Sequence, residues 1–395
     1  MLKQFTVAAL AATAFAQTQD LNATLTNTPE LSNLTTYLGM FPDVLTTLAS
    51  ASNITILAPS NEAFGKLLNS PVGSQLATNP GLIQSVLTYH VLNGTYSSDQ
   101  ITDDVAFIPT LLQDPLYTNV TGGQRVGVEK EDNNVVFYSG LLANSTVTQA
   151  DVRFTGGVVH IIDNVLTLPA NASTTAIAAN LTALAGALTT ANLVSAVDTA
   201  RDVTIFAPAN AAFEAIGSVL ANATTEQLAD VLTYHVVNGT VAYSTTLRPG
   251  EQTLTSLNGG QLTVRVQDDG NVFVNGARVV LTDVLIANGV VHVIDNVLNP
   301  ANATAAPPSG ENDENGTVQF GGATSGNVPF TAGVPSPTGT IGGGVGGGNV
   351  SGGGTSPTPS AAGTALPSSG AMVGKALSGG LMGVAIGLGG VVLGL

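Results

Sequence analysis

The sequence has no cysteine, no tryptophan and few charged residues. The absence of cysteine from all 395 residues excludes disulfides, thiolate metal sites and thiol catalysis. Charged residues make up 9 % of the chain, against a usual value of about 25 %. Lysine and arginine together number ten, and the net charge is −16. Because no basic cluster is present to neutralise phosphates, the sequence argues against nucleic acid as a partner.

The first sixteen residues have the pattern of a secretory signal peptide. One lysine is followed by a short apolar run and by Ala14-Phe15-Ala16, a small-residue cleavage pattern. The alternative is an apolar helix of the mature domain, but the stretch shows no amphipathic period. We therefore predict that residues 1–16 are removed and that the chain enters the secretory pathway.

The C-terminal residues have the pattern of a GPI-anchor signal. The apolar run 381–395 is shorter than the roughly 20 residues that a membrane span needs, and nothing basic follows it. Small residues and a spacer precede it, which completes the signal. We predict attachment at Ser368, Ser369 or Gly370 and removal of the tail 371–395. A tail anchor or an unprocessed apolar end is the alternative.

Many N-x-S/T sequons lie between these two ends. Their density behind a signal peptide predicts extensive N-glycosylation, which requires each occupied asparagine to face solvent. The predicted sites are Asn22, Asn33, Asn53, Asn93, Asn119, Asn144, Asn171, Asn180, Asn222, Asn238, Asn302, Asn315 and Asn349.

Three sequence blocks occur twice in the same order. ITILAPSNEAF at residue 54 matches VTIFAPANAAF at residue 203, and LTYHVLNGT at residue 87 matches LTYHVVNGT at residue 232. GVVHIIDNVL at residue 157 matches GVVHVIDNVL at residue 289. Repeated blocks with constant order indicate two copies of one structural unit. We predict domains at residues 20–169 and 171–300, each large enough to bury its own core.

Composition changes after Pro300. Residues 301–370 consist largely of Gly, Ser, Pro, Thr and Ala. Such a segment has too little apolar surface to offset its ordering entropy, so we expect a disordered, glycosylated stalk.

Within each unit, helical spacing comes early and strand alternation comes late. Apolar residues between Glu30 and Ser50 follow a helical period that Pro42 is expected to divide. A short buried strand follows, and Asn61 or Asn210 is expected to cap the next helix. Alternating runs around turn dipeptides then predict hairpins. This order predicts an α+β domain with an antiparallel sheet.

The three blocks together resemble the fasciclin (FAS1) domain family. The resemblance covers nearly all of the predicted ordered chain and implies a β-sandwich or wedge of about seven strands with several packed helices. It also implies a cell-surface or matrix role, usually adhesion, and paired domains with a stalk and lipid anchor are similar to fasciclin-like surface proteins of fungi and plants. The family's Tyr-His region is implicated in adhesion, which makes Tyr89, His90, Tyr234 and His235 candidate binding residues.

All four histidines fall in the repeated blocks: His90, His160, His235 and His292. Two per domain permits a metal-site hypothesis, but each lies among apolar residues, which favours satisfaction of buried backbone groups. Asp163 and Asp295 interrupt apolar strands, and a cap or turn role is favoured over acid–base work. No hydrolase or phosphate-binding motif is present. We therefore expect no catalysis, no cofactor and no metal.

Three functional hypotheses remain open from the sequence. The first is adhesion, with cell-wall or matrix glycans and proteins, or further copies of the chain, as partners on the outer side of the plasma membrane or in the cell wall. The second is a structural or signalling spacer without its own ligand. The third is a metal- or small-ligand-binding module that uses the His and Tyr residues.

Overall fold

A computed structural model describes residues 18–76, 78–268, 270–302, 305–306 and 316–337. Two α+β domains follow one another along these residues. The predicted signal peptide, the anchor signal with its attachment residues, and the sequons Asn315 and Asn349 lie outside the described ranges. Among the helices of the described ranges, none combines the length and the apolar character needed to cross a bilayer.

The first domain begins with helices and ends with strands. Its helices are α1 (Leu21–Thr26), α2 (Ser32–Met40), α3 (Pro42–Ser50), α4 (Asn61–Leu68), α5 (Pro71–Leu76) and α6 (Pro80–Tyr89). Its strands are β1 (Ile54–Pro59), β2 (Val91–Asn93), β3 (Ala106–Pro109), β4 (Arg125–Glu131), β5 (Asn134–Tyr138), β6 (Asn144–Phe154) and β7 (Gly157–Ile162). Short 3₁₀ helices cover Pro29–Leu31 and Gly140–Leu142. The break between α2 and α3 falls at Pro42, as the sequence predicts.

The second domain repeats this order. Its helices are α7 (Ala172–Ala178), α8 (Thr182–Thr190), α9 (Val194–Thr199), α10 (Asn210–Ala215), α11 (Gly217–Leu220) and α12 (Thr225–Tyr234). Its strands are β8 (Val203–Pro208), β9 (Val236–Val237), β10 (Gly250–Thr255), β11 (Gln261–Val266), β12 (Val272–Val274), β13 (Ala277–Ile286) and β14 (Gly289–Ile294). A 3₁₀ helix covers Ser244–Thr246.

Each domain has one seven-stranded sheet. The strand orders are β2-β1-β7-β6-β5-β4-β3 and β10-β11-β12-β13-β14-β8-β9, which are the same order read from opposite ends. The first and third sequence blocks pair in parallel, β1 with β7 and β8 with β14. All other pairs are antiparallel. An isolated bridge joins the outer strands of each sheet and curls the sheet toward a barrel. It links Leu92 to Thr110 in the first domain and Val237 to Ser256 in the second.

The sheet separates two apolar layers in each domain. In the first domain, helices α1 to α3 cover one side with residues such as Leu34 and Leu48. The other side closes around Phe137 and Leu112, both 0 % exposed. The alternation of side chains along β1 explains this division, because Ile56 enters the helical layer while Leu57 enters the barrel layer.

Asn61 and Asn210 cap a neighbouring helix, which corrects the expectation that they cap their own. The amide oxygen of Asn61 accepts from Asn33 N (2.9 Å) in the first turn of α2. That of Asn210 accepts from Ala183 N (3.0 Å) in the first turn of α8. The cap of α4 itself is Ser60. Each asparagine therefore ties the strand-to-helix turn to the earlier helices.

Residues 316–337 differ from the predicted disordered stalk. Phe320, Val328 and Phe330 pack against the helical core of the second domain. Gln319 is 4 % exposed, and its carbonyl accepts hydrogen bonds from side chains near the end of the domain. These few anchors are dispersed among small and polar residues, so composition alone predicts a stalk where residues 316–337 pack against the domain.

Candidate functional site

The Tyr-His motifs lie inside the domains. Tyr89 and His90 are 0 % and 4 % exposed, and Tyr234 and His235 are 4 % and 2 % exposed. Each phenol donates to a backbone carbonyl of the barrel, at 3.0 Å for Tyr89 and 2.8 Å for Tyr234. The structure thus corrects the expectation that these four side chains form a contact surface. They join the last α-helix of each domain, α6 or α12, to the sheet.

His90 fixes the end of α6 against the closing segment of its domain. Its Nε2 accepts from the Leu166 amide at 2.9 Å, so Nδ1 carries the proton and donates to the Val86 carbonyl at 2.7 Å. His235 makes the same two bonds at the same distances in the second domain. Burial lowers the pKa of both rings from 6.5 to about 4. Both imidazoles are therefore neutral near pH 7.

His160 and His292 hold the opposite tautomer. In each ring Nδ1 accepts from a backbone amide, that of Asp151 (3.2 Å) or Asp283 (3.3 Å). Nε2 then donates to a loop carbonyl at 2.8 Å. Both histidines are 0 % exposed. All eight ring nitrogens of the four histidines thus have backbone partners.

Asp151 and Asp283 are structural residues that the sequence blocks do not contain. Each has positive φ, 59° and 62°, in the irregular stretch where β6 or β13 pairs with the last strand. Their carboxylates accept from the Ser98 and Ser244 amides (3.0 and 2.8 Å). The available signal was an Asp-Val pair nine residues before the histidine of the third block in both copies.

Asp163 and Asp295 have the cap-like role that the sequence favours. Asp163 Oδ1 accepts from the Thr146 amide at 2.7 Å, and Asp295 Oδ1 accepts from the Arg278 amide at 2.8 Å. Neither carboxylate faces a histidine ring in these bonds. Each closes the end of the last strand onto its antiparallel neighbour, which is a structural task.

The motif residues offer no open position for a metal. A histidine binds a metal through an unprotonated ring nitrogen, and that nitrogen in each ring already accepts from an amide. No group of three His, Asp or Glu side chains suited to a metal occurs in the part of the chain that the structure describes. Small cavities beside His90 and His235 are lined almost wholly by apolar side chains.

The sequons lie largely on the surface. Those with exposed asparagines are Asn22, Asn53, Asn93, Asn144, Asn180, Asn222 and Asn238. Those with half-buried asparagines are Asn33, Asn119, Asn171 and Asn302. The exposed group occurs on both domains, so glycans at these positions would surround the pair.

A fixed junction connects the two domains. The loop between β3 and β4 covers residues 110–124, whereas the equivalent loop covers only 256–260. The Asn119 amide donates to the Ala287 carbonyl (2.7 Å), and Thr121 binds the Asp202 carboxylate through its amide (2.6 Å) and its hydroxyl. The longer loop of the first domain therefore serves as a clamp on the second.

Aromatic packing supports the same junction. The rings of Phe107 and Tyr243 stack with centroids 4.4 Å apart, and the Arg125 guanidinium lies 5.7 Å from the Tyr243 centroid. Gln124 is 0 % exposed and donates to the Ile286 carbonyl at 3.0 Å. Burial raises the pKa of Tyr243. A stacked pair, a cation over it and several hydrogen bonds together fix the relative orientation of the domains.

Comparison with known proteins agrees with the repeated architecture. The Fasciclin domain matches residues 29–169 and 179–300. A "Fasciclin-like arabinogalactan protein" of Arthroderma benhamiae is 37 % identical over 79 % of this chain and 74 % of its own length. "Fasciclin-like arabinogalactan protein elcF" of Phaeosphaeria nodorum is 33 % identical over 72 % and 90 %, respectively.

One solved structure is also similar. It is a FAS1 domain pair from the insect cell adhesion molecule Fasciclin I, with 22 % identity and a TM-score of 0.32 over 67 % of this chain and 96 % of that chain. This overall score adds no weight beyond the sequence matches. The two domain matches and the fungal relatives show that the chain belongs to the Fasciclin domain family, with two tandem domains.

Proposed function

We propose that this protein is a non-catalytic adhesion protein of the cell surface, which contacts cell-wall or matrix components. The fixed junction is the observation that carries this proposal. Clamp and aromatic contacts hold two similar domains as one body, so that both present their outer surfaces in a constant arrangement. Such a body suits contacts that are weak singly and effective in arrays.

The use of the motif residues supports the same conclusion. The histidines and tyrosines that recur in both domains are occupied with internal hydrogen bonds. Interaction is therefore assigned to the exposed surface rather than to the Tyr-His motifs. The names of the fungal relatives as arabinogalactan proteins support a glycosylated surface, with exposed sequons on both domains.

The anchor completes the proposal. Attachment at Ser368, Ser369 or Gly370 would hold the domain pair on the outer side of the plasma membrane or in the cell wall. Treatment of intact cells with phosphatidylinositol-specific phospholipase should release the protein, and glycopeptide mass spectrometry should find glycans at the exposed sequons. Retention on cells after this treatment, with release of a known anchored control, would contradict the anchor.

The test of adhesion uses the released ectodomain. Displayed on beads at increasing density, it should bind cell walls, matrix or cells with a steep dependence on density. A length-matched protein, in which an unrelated domain replaces the first fasciclin domain, separates adhesion from the spacer alternative. Equal binding by this replacement would favour the spacer, and absence of binding by the wild type would contradict adhesion.

A further inference from the structure

Residues 316–337 cross the helical side of the second domain as an irregular segment with several turns. The segment contains no helix or strand. It passes from Gly316, beside the Asp295 carboxylate, to Gly326 beside α11 and to Phe330 beside α8. Phe320, Phe330 and Val334 are half-buried and pack against the helical core. We refer to the helical face that the segment covers, formed by α8, α10 and α11, as the groove.

Hydrogen bonds fix the first part of the segment. The Thr317 amide donates to the Gly276 carbonyl at 2.7 Å. The Asn299 side chain donates to the carbonyl of Gln319 (3.1 Å). These contacts tie the segment to the turn between β12 and β13 and to the residues that follow β14.

A second set of bonds fixes the middle of the segment on α10 and α11. Ser218 and Thr324 bond reciprocally, because the Ser218 amide donates to the Thr324 carbonyl (3.2 Å) and the Thr324 amide donates to Ser218 Oγ (2.9 Å). The Gly326 amide donates to the Glu214 carbonyl at 3.0 Å. The Glu214 carbonyl at the end of α10 thus accepts from the segment as well as from the Ile216 amide.

Two glycines in the helices make room for the segment. A Cβ at Gly186 in α8 would overlap the Phe330 carbonyl oxygen, and a Cβ at Gly217 in α11 would lie 2.9 Å from Gly326 Cα. Glycine inside a helix is unfavourable relative to alanine. The helix itself therefore does not favour glycine at residue 186, whereas the close approach of the segment requires it.

The first domain has no glycine at either matching position. Counting from the paired asparagine caps, Thr36 stands at the position of Gly186, and it is exposed. Counting from the first sequence block, Leu68 stands at the position of Gly217 and is 50 % exposed. The same face of the fold is thus covered in one domain and open in the other.

We propose that the face formed by α8, α10 and α11 is a binding site for a glycine-rich peptide with aromatic anchors, and that residues 316–337 are its resident ligand. The peptide backbone contacts the two glycines, while Phe320 and Phe330 fill the apolar edges. Occupation closes this face of the second domain to outside partners and leaves the matching face of the first domain open. The site extends the folded unit beyond residue 300, where the fasciclin match ends.

The mildest test substitutes Gly186→Ala in the full ectodomain. An added Cβ should displace the segment, so that amide hydrogen exchange across 316–337 becomes at least about tenfold faster, as expected for loss of protection. Limited proteolysis should then cut within the segment first. If the segment does not contact α8, Gly186→Ala should leave the exchange of 316–337 unchanged and raise Tm, because alanine is the better helix residue.

The matched control is Gly65→Ala in α4, where an added Cβ meets nothing within 4 Å. It should leave exchange of 316–337 unchanged. Phe330→Ala weakens the ligand without altering the helices and should expose the segment as Gly186→Ala does. Unchanged protection in Gly186→Ala and Phe330→Ala, or equal loss in Gly65→Ala, would overturn the proposal.

A labelled synthetic peptide of residues 316–337 tests whether the groove is a true binding site. It should bind the full ectodomain that carries Phe320→Ala and Phe330→Ala, whose own ligand is weakened, at least about tenfold more tightly than the wild type, whose groove is filled. Adding Gly186→Ala to that variant should abolish binding. Failure of the peptide to bind the double variant would contradict the assignment of a peptide site.

Discussion

His90 and His235 show how residues that invite a functional interpretation can serve the fold. Each accepts from one amide and donates to one carbonyl, which requires the neutral ring. A charged ring would lose its acceptor nitrogen and carry an unpaired charge in an apolar interior. The two side chains therefore couple the stability of both domains to pH.

The unfolding free energy should decrease as pH falls from about 6.5 toward 4. The pKa of each ring is lowered on folding, so the unfolded chain binds protons first, and the stability of the neutral ring is fully present only above about pH 6.5. Each histidine should contribute a slope of up to about 1.4 kcal/mol per pH unit within this window. Urea titrations followed by circular dichroism measure it.

The control for the pH prediction is His90→Asn. This variant lacks one titrating ring, so its unfolding free energy should change less steeply with pH, by the contribution of about one proton. Its stability at neutral pH should nevertheless be lower. A wild-type stability that stays constant across this window would contradict the assigned neutral rings.

Tyr89→Phe and Tyr234→Phe should lower the free energy of unfolding by different amounts. Tyr89 makes one hydrogen bond, to Arg125 O, whereas Tyr234 donates to Gln261 O and accepts from the Asn275 amide group. We expect a loss of about 1 kcal/mol for the first variant and about 2 kcal/mol for the second. Urea unfolding at neutral pH measures both, and a larger loss in Tyr89→Phe would contradict the assigned bonds.

The sequence predicts the interior character of the histidines better than the roles of the tyrosines. Apolar neighbours on both sides of His160 indicate burial, which a single sequence can show. The partners of Tyr89 and Asp151 come from residues far along the chain. Only the folded sheet brings them together, so neither spacing nor composition predicts them.

At the scale of elements, the two copies differ in how the helix after the first strand begins. Ser60 caps α4 by accepting from the Ala63 amide at 3.2 Å. Ala209 stands at the matching position before α10, with nearly the same backbone angles and no side-chain cap. The second copy therefore lacks one stabilising bond that its backbone can accommodate.

Ala209→Ser should stabilise the protein, and Ser60→Ala should destabilise it. A serine at the start of a helix contributes about 1 kcal/mol by satisfying a free amide. We expect a gain of about 0.5–1 kcal/mol for the first variant and a comparable loss for the second. Thermal unfolding followed by circular dichroism measures both, and destabilisation by Ala209→Ser would contradict the shared cap geometry.

The elements themselves follow largely from local pattern. Pro42 and the turn residues mark boundaries that the structure keeps. The parallel pairing of β1 with β7 was not predicted, because it joins segments separated by the whole domain and the antiparallel hairpins dominate the local signal. The segment 316–337 was missed because its few aromatic anchors are dispersed among Gly, Ser and Thr.

At the scale of the whole molecule, we expect the clamp to make the two domains one mechanical and thermodynamic unit. The binding of Thr121 to Asp202 and the Phe107–Tyr243 stack act on the same interface. The extra loop length of the first copy, visible in the sequence as a longer spacing between the second and third blocks, thus has a structural use. The sequence shows that the loop is longer but not what it contacts.

Asp202→Ala with Phe107→Ala should uncouple the domains. The wild type should unfold in a single transition, whereas the double variant should show two, because the loss of the interface removes the coupling between the domains. Small-angle scattering should report a wider range of shapes for the variant. Glu226→Ala, at an exposed position in the first turn of α12, is the control. Two transitions already present in the wild type would contradict a fixed junction.

The most direct test of the whole account is adhesion by the paired ectodomain. Beads that carry the wild type should bind cell walls or matrix, Tyr89→Phe should bind equally because its side chain is buried, and the uncoupled Asp202→Ala/Phe107→Ala variant should bind less at equal density. The contradictory result is retention of wild-type beads no greater than that of beads carrying an unrelated glycoprotein.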